Sequence, residues 1–191
     1  MKYSLSYTAA SLRIQDTIRV AEAIQNSDFE GLDERIGNGK TSTGRRIRRE
    51  LEKRLKSLTD DQLDFLLSAG LDDAKKMAFV AVCKTYQFIY EFVVEVLREK
   101  IVQLDVQISQ GEYLSFFNRK CELHPELEEL TQNSKDKIRQ VLFRMLEEVK
   151  LIDNVRSKNI QPQFLSTEFQ ETLRTDDPQL LRIFLMPNAD I

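Results

Sequence analysis

The residues of this chain best placed to do chemistry lie between Lys40 and Leu58, KTSTGRRIRRELEKRLKSL, where eight lysines and arginines meet two glutamates. The segment carries +6 in a chain whose net charge is −3, which leaves −9 for all other residues. Charge segregated in this way marks a surface built to meet a polyanion, and the chemistry it offers is neutralisation of phosphates rather than making or breaking of bonds. Taken as a helix beginning near Thr43, the segment places Ile47, Leu51, Leu55 and Leu58 on one core-facing stripe. Arg45, Arg46, Arg49, Lys53 and Lys56 then cluster on the opposite side, with Arg48 and Arg54 flanking them.

Arginines in the first turns oppose the positive end of the helix dipole, at a cost of roughly 0.3–1 kcal/mol each until an anion binds. The preceding Thr41, Ser42, Thr43 and Gly44 supply hydroxyls and free backbone N–H groups at a helix start, which is a phosphate site in the making. The candidate nucleic-acid-binding residues are therefore Lys40, Thr41, Ser42, Thr43, Arg45, Arg46, Arg48, Arg49, Lys53, Arg54 and Lys56. The competing reading is a solvated face, in which Arg46 pairs with Glu50, Arg48 with Glu52, Glu50 with Arg54 and Glu52 with Lys56 at the i,i+4 spacing. Two glutamates cannot neutralise eight cations, which favours the ligand.

Other chemistries find little support. GNGKT, Gly37–Thr41, resembles the end of a phosphate-binding loop, but position 34 is Glu34 rather than glycine and FEGLDERI reads as a short helix rather than a strand. The single histidine, His124, precedes Pro125 in a break and has no nucleophile tied to it, so it reads as a surface residue. The carboxylate pairs Glu128–Glu129 and Glu147–Glu148 lie on amphipathic helices. Cys83 and Cys121 show neither metal nor disulfide spacing, which suits a reducing cytoplasm. No enzyme, metal or cofactor is expected.

The elements that must position the basic face are helical. The chain has 191 residues, 41% hydrophobic and 31% charged, with only six glycines and four prolines to interrupt helices. Periodicity predicts a first helix over Thr8–Gln25, a short one capped by Asp28, the basic helix, and one capped by Thr59. A long apolar element follows from Asp72 through Val96, its Met77, Val80, Phe88 and Phe92 forming the hub of the core. Ser109 and Glu112 form a capping box, and Asn133 or Ser134 caps a later helix bearing Ile138, Leu142 and Met145. LIDNV and IQPQFL then read as two short strands of a hairpin, with Arg156 and Lys158 at its tip as a second phosphate contact. A last helix covers roughly Thr167–Leu173. The fold class is all-α with one small C-terminal β-hairpin like the end of a winged helix, arranged as regions 1–108 and 109–191 or as one compact unit. MKYSLSYTAASLRIQD lacks an unbroken apolar run, so no cleavable leader is expected. Met77–Leu97, interrupted by Lys84, Gln87, Glu91 and Glu95, reads as a buried helix rather than a membrane span.

In their order and spacing these segments resemble the BrxA family, the small helical component of bacterial BREX anti-phage systems. The residues that carry the likeness are YTAASLRIQDTIRVAEAI, KTSTGRRIRRELEKRLKSLTDDQLDFL, FVAVCKTYQFIYEFVVEVLREK, EYLSFFNRKCELHPELEELTQNSKDKIRQVLFRMLEEVKLID and IQPQFLSTEF. The resemblance implies a non-enzymatic subunit that binds double-stranded DNA, a helical bundle similar to the antitermination factor NusB, and other BREX proteins as partners: a methyltransferase, an ATPase and a phosphatase-like protein. The basic helix would grip backbone phosphates with little base specificity, and about five contacts predict a slope of log affinity against log salt near −4 to −5. The alternatives are an assembly adaptor whose basic face docks an acidic protein, and an RNA-binding role like that of NusB.

Overall fold

The apolar stripe of the basic segment decides where that helix sits. In the computed structural model, which describes residues 2–191, Ile47, Leu51 and Leu55 are buried, and the helix they belong to runs Thr41–Leu55. Before it come a 3₁₀ turn, Ser6–Ala9, then α1 (Ile14–Asn26) and α2 (Leu32–Ile36); the basic helix is α3. After it come α4 (Asp60–Ser68) and α5 (Leu71–Thr85), and then α6 (Gln87–Phe92), which continues through a π-helical turn, Val93–Arg98, into α7 (Glu99–Val102). The chain closes with α8 (Gln110–Leu123), α9 (Gln132–Glu148), α10 (Thr167–Asp176) and a 3₁₀ segment, Pro178–Phe184.

The core is helix on helix. Helix α5 is buried nearly all round from Met77 to Cys83, as an apolar helix surrounded by others must be. Phe88, Phe92, Phe116, Tyr113 and Phe143 meet edge to face or tilted, at centroid separations of 5.2–5.8 Å. Buried side chains from Tyr7 to Phe184 form one contiguous cluster.

Several local expectations change. The long apolar element breaks at Tyr86, whose backbone is extended (φ −123°, ψ 91°), and the two arms meet at 110°. No glycine or proline marks the break. Tyr86 is fully buried, and its hydroxyl donates to the Glu50 carboxylate, so tertiary bonding holds the bend. No single helix among the described residues is long and apolar enough to cross a membrane; the two arms together satisfy length and composition only as a bent pair. The first helix starts at Ile14, after Arg13 in a left-handed conformation (φ 46°), and not at Thr8. Gly31 (φ 63°) opens α2, so Asp28 does not cap it, and Thr131 rather than Asn133 or Ser134 caps α9. Thr59 and Ser109 do form capping boxes, with Gln62 and Glu112.

The C-terminal hairpin is absent: no strand occurs among the described residues, and only the isolated bridges Ile152–Ile160 and Gln107–Asn159 remain. The cause is side-chain competition for backbone amides. The Asp153 carboxylate accepts from the N–H of Asn154 (2.6 Å) and Asn159 (2.9 Å), while the Asn154 side-chain oxygen accepts from Arg156 (2.9 Å) and Ser157 (3.0 Å). Pro162, lacking an N–H, cannot extend the ladder beyond. A side-chain-closed loop replaces the expected wing.

Candidate nucleic-acid interface

Helix α3 begins at Thr41, two residues earlier than its apolar pattern predicts, so Thr41–Gly44 form its first turn. Lys40 is exposed at the N-cap, and no acidic residue lies in that first turn. Gly44 drops out of the proposed phosphate cradle. Its N–H already donates to the Lys40 carbonyl at 3.0 Å, and a Cβ there would stand 1.7 Å from the Asp33 carbonyl oxygen. The glycine is required because α2 and α3 cross backbone to backbone. Thr41, Ser42 and Thr43 remain exposed.

Beyond Lys40, the seven remaining cations divide into three groups. Arg54 is buried: it donates to Glu50 at 3.0 Å, to the Ala10 carbonyl at 2.7 Å and to the Ser11 carbonyl at 2.8 Å. It is a clasp that fastens the N-terminal segment to α3, and its place in the DNA-binding set is withdrawn. Glu50 is buried with it, accepting also from the hydroxyls of Ser6 and Tyr86, and burial together with that carboxylate pushes the Tyr86 hydroxyl up to about 12. Arg48 is mostly buried too. It donates to Asp33 at 2.5 Å and to Glu52, and its guanidinium lies 5.4 Å from the Phe29 ring centroid. It is therefore a weak candidate for an external phosphate.

The third group faces outward. Arg45 is exposed and only loosely held by Asp33, at 3.3 Å. Arg46, Arg49 and Lys56 are exposed and form no ion pair among the described residues. Lys53 is exposed, bonded only to the neutral hydroxyls of Ser4 (2.7 Å) and Ser6 (3.2 Å) and placed over the Tyr86 ring. Of the four i,i+4 pairs that would make a solvated face, Arg48–Glu52 and Glu50–Arg54 form. Arg46–Glu50 and Glu52–Lys56 do not. The helical period thus sorts α3 into an apolar stripe, a buried polar seam and an outward cationic face.

Ser42, Arg45, Arg46 and Arg49 line one wall of a groove of about 690 Å³. The same groove is lined by Ser6, Thr8, Ala9 and Glu50 and by a residue that sequence reasoning missed, Lys137 on α9. Lys137 flanks the buried Ile138 of its own helix, but nothing in the sequence says that α9 borders the same groove as α3. Of the two loop residues expected at the tip of a wing, Lys158 lines a neighbouring groove and sits 5.6 Å over the Phe143 ring, while Arg156 is exposed and lines neither groove.

No group of three or more His, Cys, Asp or Glu side chains able to hold a metal occurs among the described residues. His124 stacks on Tyr3 at 3.7 Å and contacts Glu126. Cys83 is a buried thiol pushed up by burial, and Cys121 is half-buried and likewise raised.

A model of the BrxA family matches residues 1–177. A BREX protein BrxA from Escherichia coli O9:H4 (strain HS) is 23% identical over 133 residues, covering 70% of this chain and 62% of that protein, so the match spans less than two thirds of the relative's length. A crystal structure of an uncharacterized protein from Magnetospirillum magneticum superposes with a TM-score of 0.82 at 15% identity, covering 97% of this chain and 99% of that one, which shows a shared fold.

Proposed function

The chain belongs to the BrxA family, and from that premise we propose that it is a non-enzymatic component of a bacterial BREX defence system that binds duplex DNA through the sugar-phosphate backbone. The observation that carries the DNA reading is the pair Arg46 and Arg49, exposed, free of carboxylate partners among the described residues, and sharing a groove with Arg45, Ser42 and Lys137. Unneutralised guanidinium groups on one helical face displace the cations condensed on DNA phosphates, and this counterion release supplies most of sequence-independent binding. Nothing fixes an arginine against a base edge, so sequence preference should be slight. The proposed place of action is the cytoplasm.

A protein-partner role has its own support. Val102, Leu104 and Val106 are exposed, Leu104 at 91%, at the end of α7 and along the turn that follows it, and other BREX proteins such as the methyltransferase, ATPase and phosphatase-like subunit are the proposed partners. Gel-shift titration on duplex, single-stranded DNA and RNA, with a variant carrying Ala at Arg45, Arg46 and Arg49, tests the nucleic-acid reading and separates it from a NusB-like RNA role. Unchanged duplex affinity in a folded variant refutes it, and pulldown of the other subunits tests the adaptor role.

A further inference from the structure

A second groove, of about 780 Å³, lies beside the first and shares Thr8, Ala9 and Lys137 with it. The two adjoin at these residues, so a shallow channel can be traced along the surface from α3 over the Ser6–Ala9 turn and along α9 to the loop that holds Lys158. We infer that the backbone of one strand of bound DNA continues along this channel, and that Lys137 and Lys158 are phosphate-binding residues of the same site. The inference rests on the duplex reading above and extends it to two further elements.

The charge arrangement selects these two lysines. The arginines of the second groove are already matched: Arg13 with Asp16 at 2.6 Å, Arg139 with Asp136 at 3.1 Å, and Arg144 with Glu148 at 3.3 Å. Lys137 and Lys158 have no carboxylate partner among the described residues; Lys137 reaches only the Gln140 side-chain oxygen at 3.3 Å, and Lys158 only the Arg156 carbonyl at 3.2 Å. They stand at the middle and the far end of a channel whose near end is Arg46 and Arg49. A polyanion threaded through it meets unspent positive charge at each stage, whereas a compact anion would meet it at one. The exposed Arg144 pair is worth little in water, so a phosphate can also recruit Arg144 at small cost. Lys158 is held in position because the Asp153–Asn154 side chains fix the loop, with Lys158 at φ 53°.

Fluorescence anisotropy of a duplex about two helical turns long, titrated with salt, tests the channel. Five contacts on α3 alone predict a slope near −4.5, and seven predict a slope near −6. K137Q/K158Q, which removes both charges but leaves polar side chains, should reduce the magnitude of the slope by about 2 and the affinity by about tenfold to a hundredfold at 0.1 M salt. K137A alone, away from the loop, should remove about half of that slope change and serves if the double variant unfolds. A slope unchanged in K137Q/K158Q and in K137A, while that of R46A/R49A becomes shallower by about 2, overturns the channel and leaves the α3 reading intact. Absence of duplex binding by the unaltered chain overturns both. AMP binding that K137Q/K158Q abolishes, with the duplex slope unmoved, assigns the groove to a small nucleotide and overturns the inference.

Discussion

Arg54 donates to Glu50, one turn before it on α3, at 3.0 Å, and neither residue is more than 6% exposed. This pair divides the most cationic helix of the chain into charge spent on holding the fold and charge left facing water. The N-terminal segment closes over the pair through the Ala10 and Ser11 carbonyls and the Ser6 hydroxyl. The same bonds fix the turn that forms one wall of the groove.

Replacing Arg54 by alanine leaves Glu50 buried without its counter-charge and strands two carbonyls. The expected cost is about 3 kcal/mol or more in urea unfolding, with duplex binding retained by the folded fraction. Wild-type stability with lost binding would return Arg54 to the interface.

Gly44→Ala should be as damaging for a steric reason. The added methyl would meet the Asp33 backbone, which cannot rotate away, so α2 must move off α3. We expect a loss of about 3 kcal/mol or more by denaturant titration; a fully stable variant would contradict the close crossing.

Asp33 restrains two arginines of the basic helix. Arg48 beside it holds its carboxyl below the usual value of 3.8, and Arg45 adds to this. Because the folded value is the lower one, this stabilisation is present above about pH 4 and is lost as pH falls through the depressed folded value. D33N should lack that part of the acid slope. It should also bind duplex DNA about two- to tenfold more tightly, since Arg45 and Arg48 are released and one negative charge is gone; weaker binding would count against the α3 face.

The loop bearing Lys158 depends on Asp153. Desolvation works to raise this carboxyl, but donors from Ser157, Asn159 and Asn154 draw it down to about 2. Its hold on the loop is thus present above about pH 4 and fails only as pH drops through about 2. In D153A the Asn154 and Asn159 amides should exchange faster with solvent while helix content is unchanged; equal protection would show that the loop holds without the carboxylate.

What the sequence disclosed was what period and local chemistry determine. The buried stripe Ile47, Leu51, Leu55, the outward face Arg45, Arg46, Arg49, the cap at Thr59 and the capping box at Ser109 all follow from spacing along a single helix. Relations between distant elements were not legible. Arg54 adjoins the apolar stripe, and only the folded N-terminal segment turns that position into a buried one. Tyr86 sits in an apolar run with no breaker, and its bend is fixed by Glu50, 36 residues away. The segments LIDNV and IQPQFL suggested strands, but Asp153 and Asn154 took the amides that a ladder would need. Lys137 joined the site because α9 borders the same groove as α3, which no spacing within either helix encodes.

The most direct test of the central claim is the salt dependence of duplex binding by R46A/R49A, with the fold verified by circular dichroism. Two lost phosphate contacts should make the slope of log affinity against log salt shallower by about 2. A folded variant that binds with the affinity and slope of the unaltered chain would contradict the assignment of the α3 face to DNA.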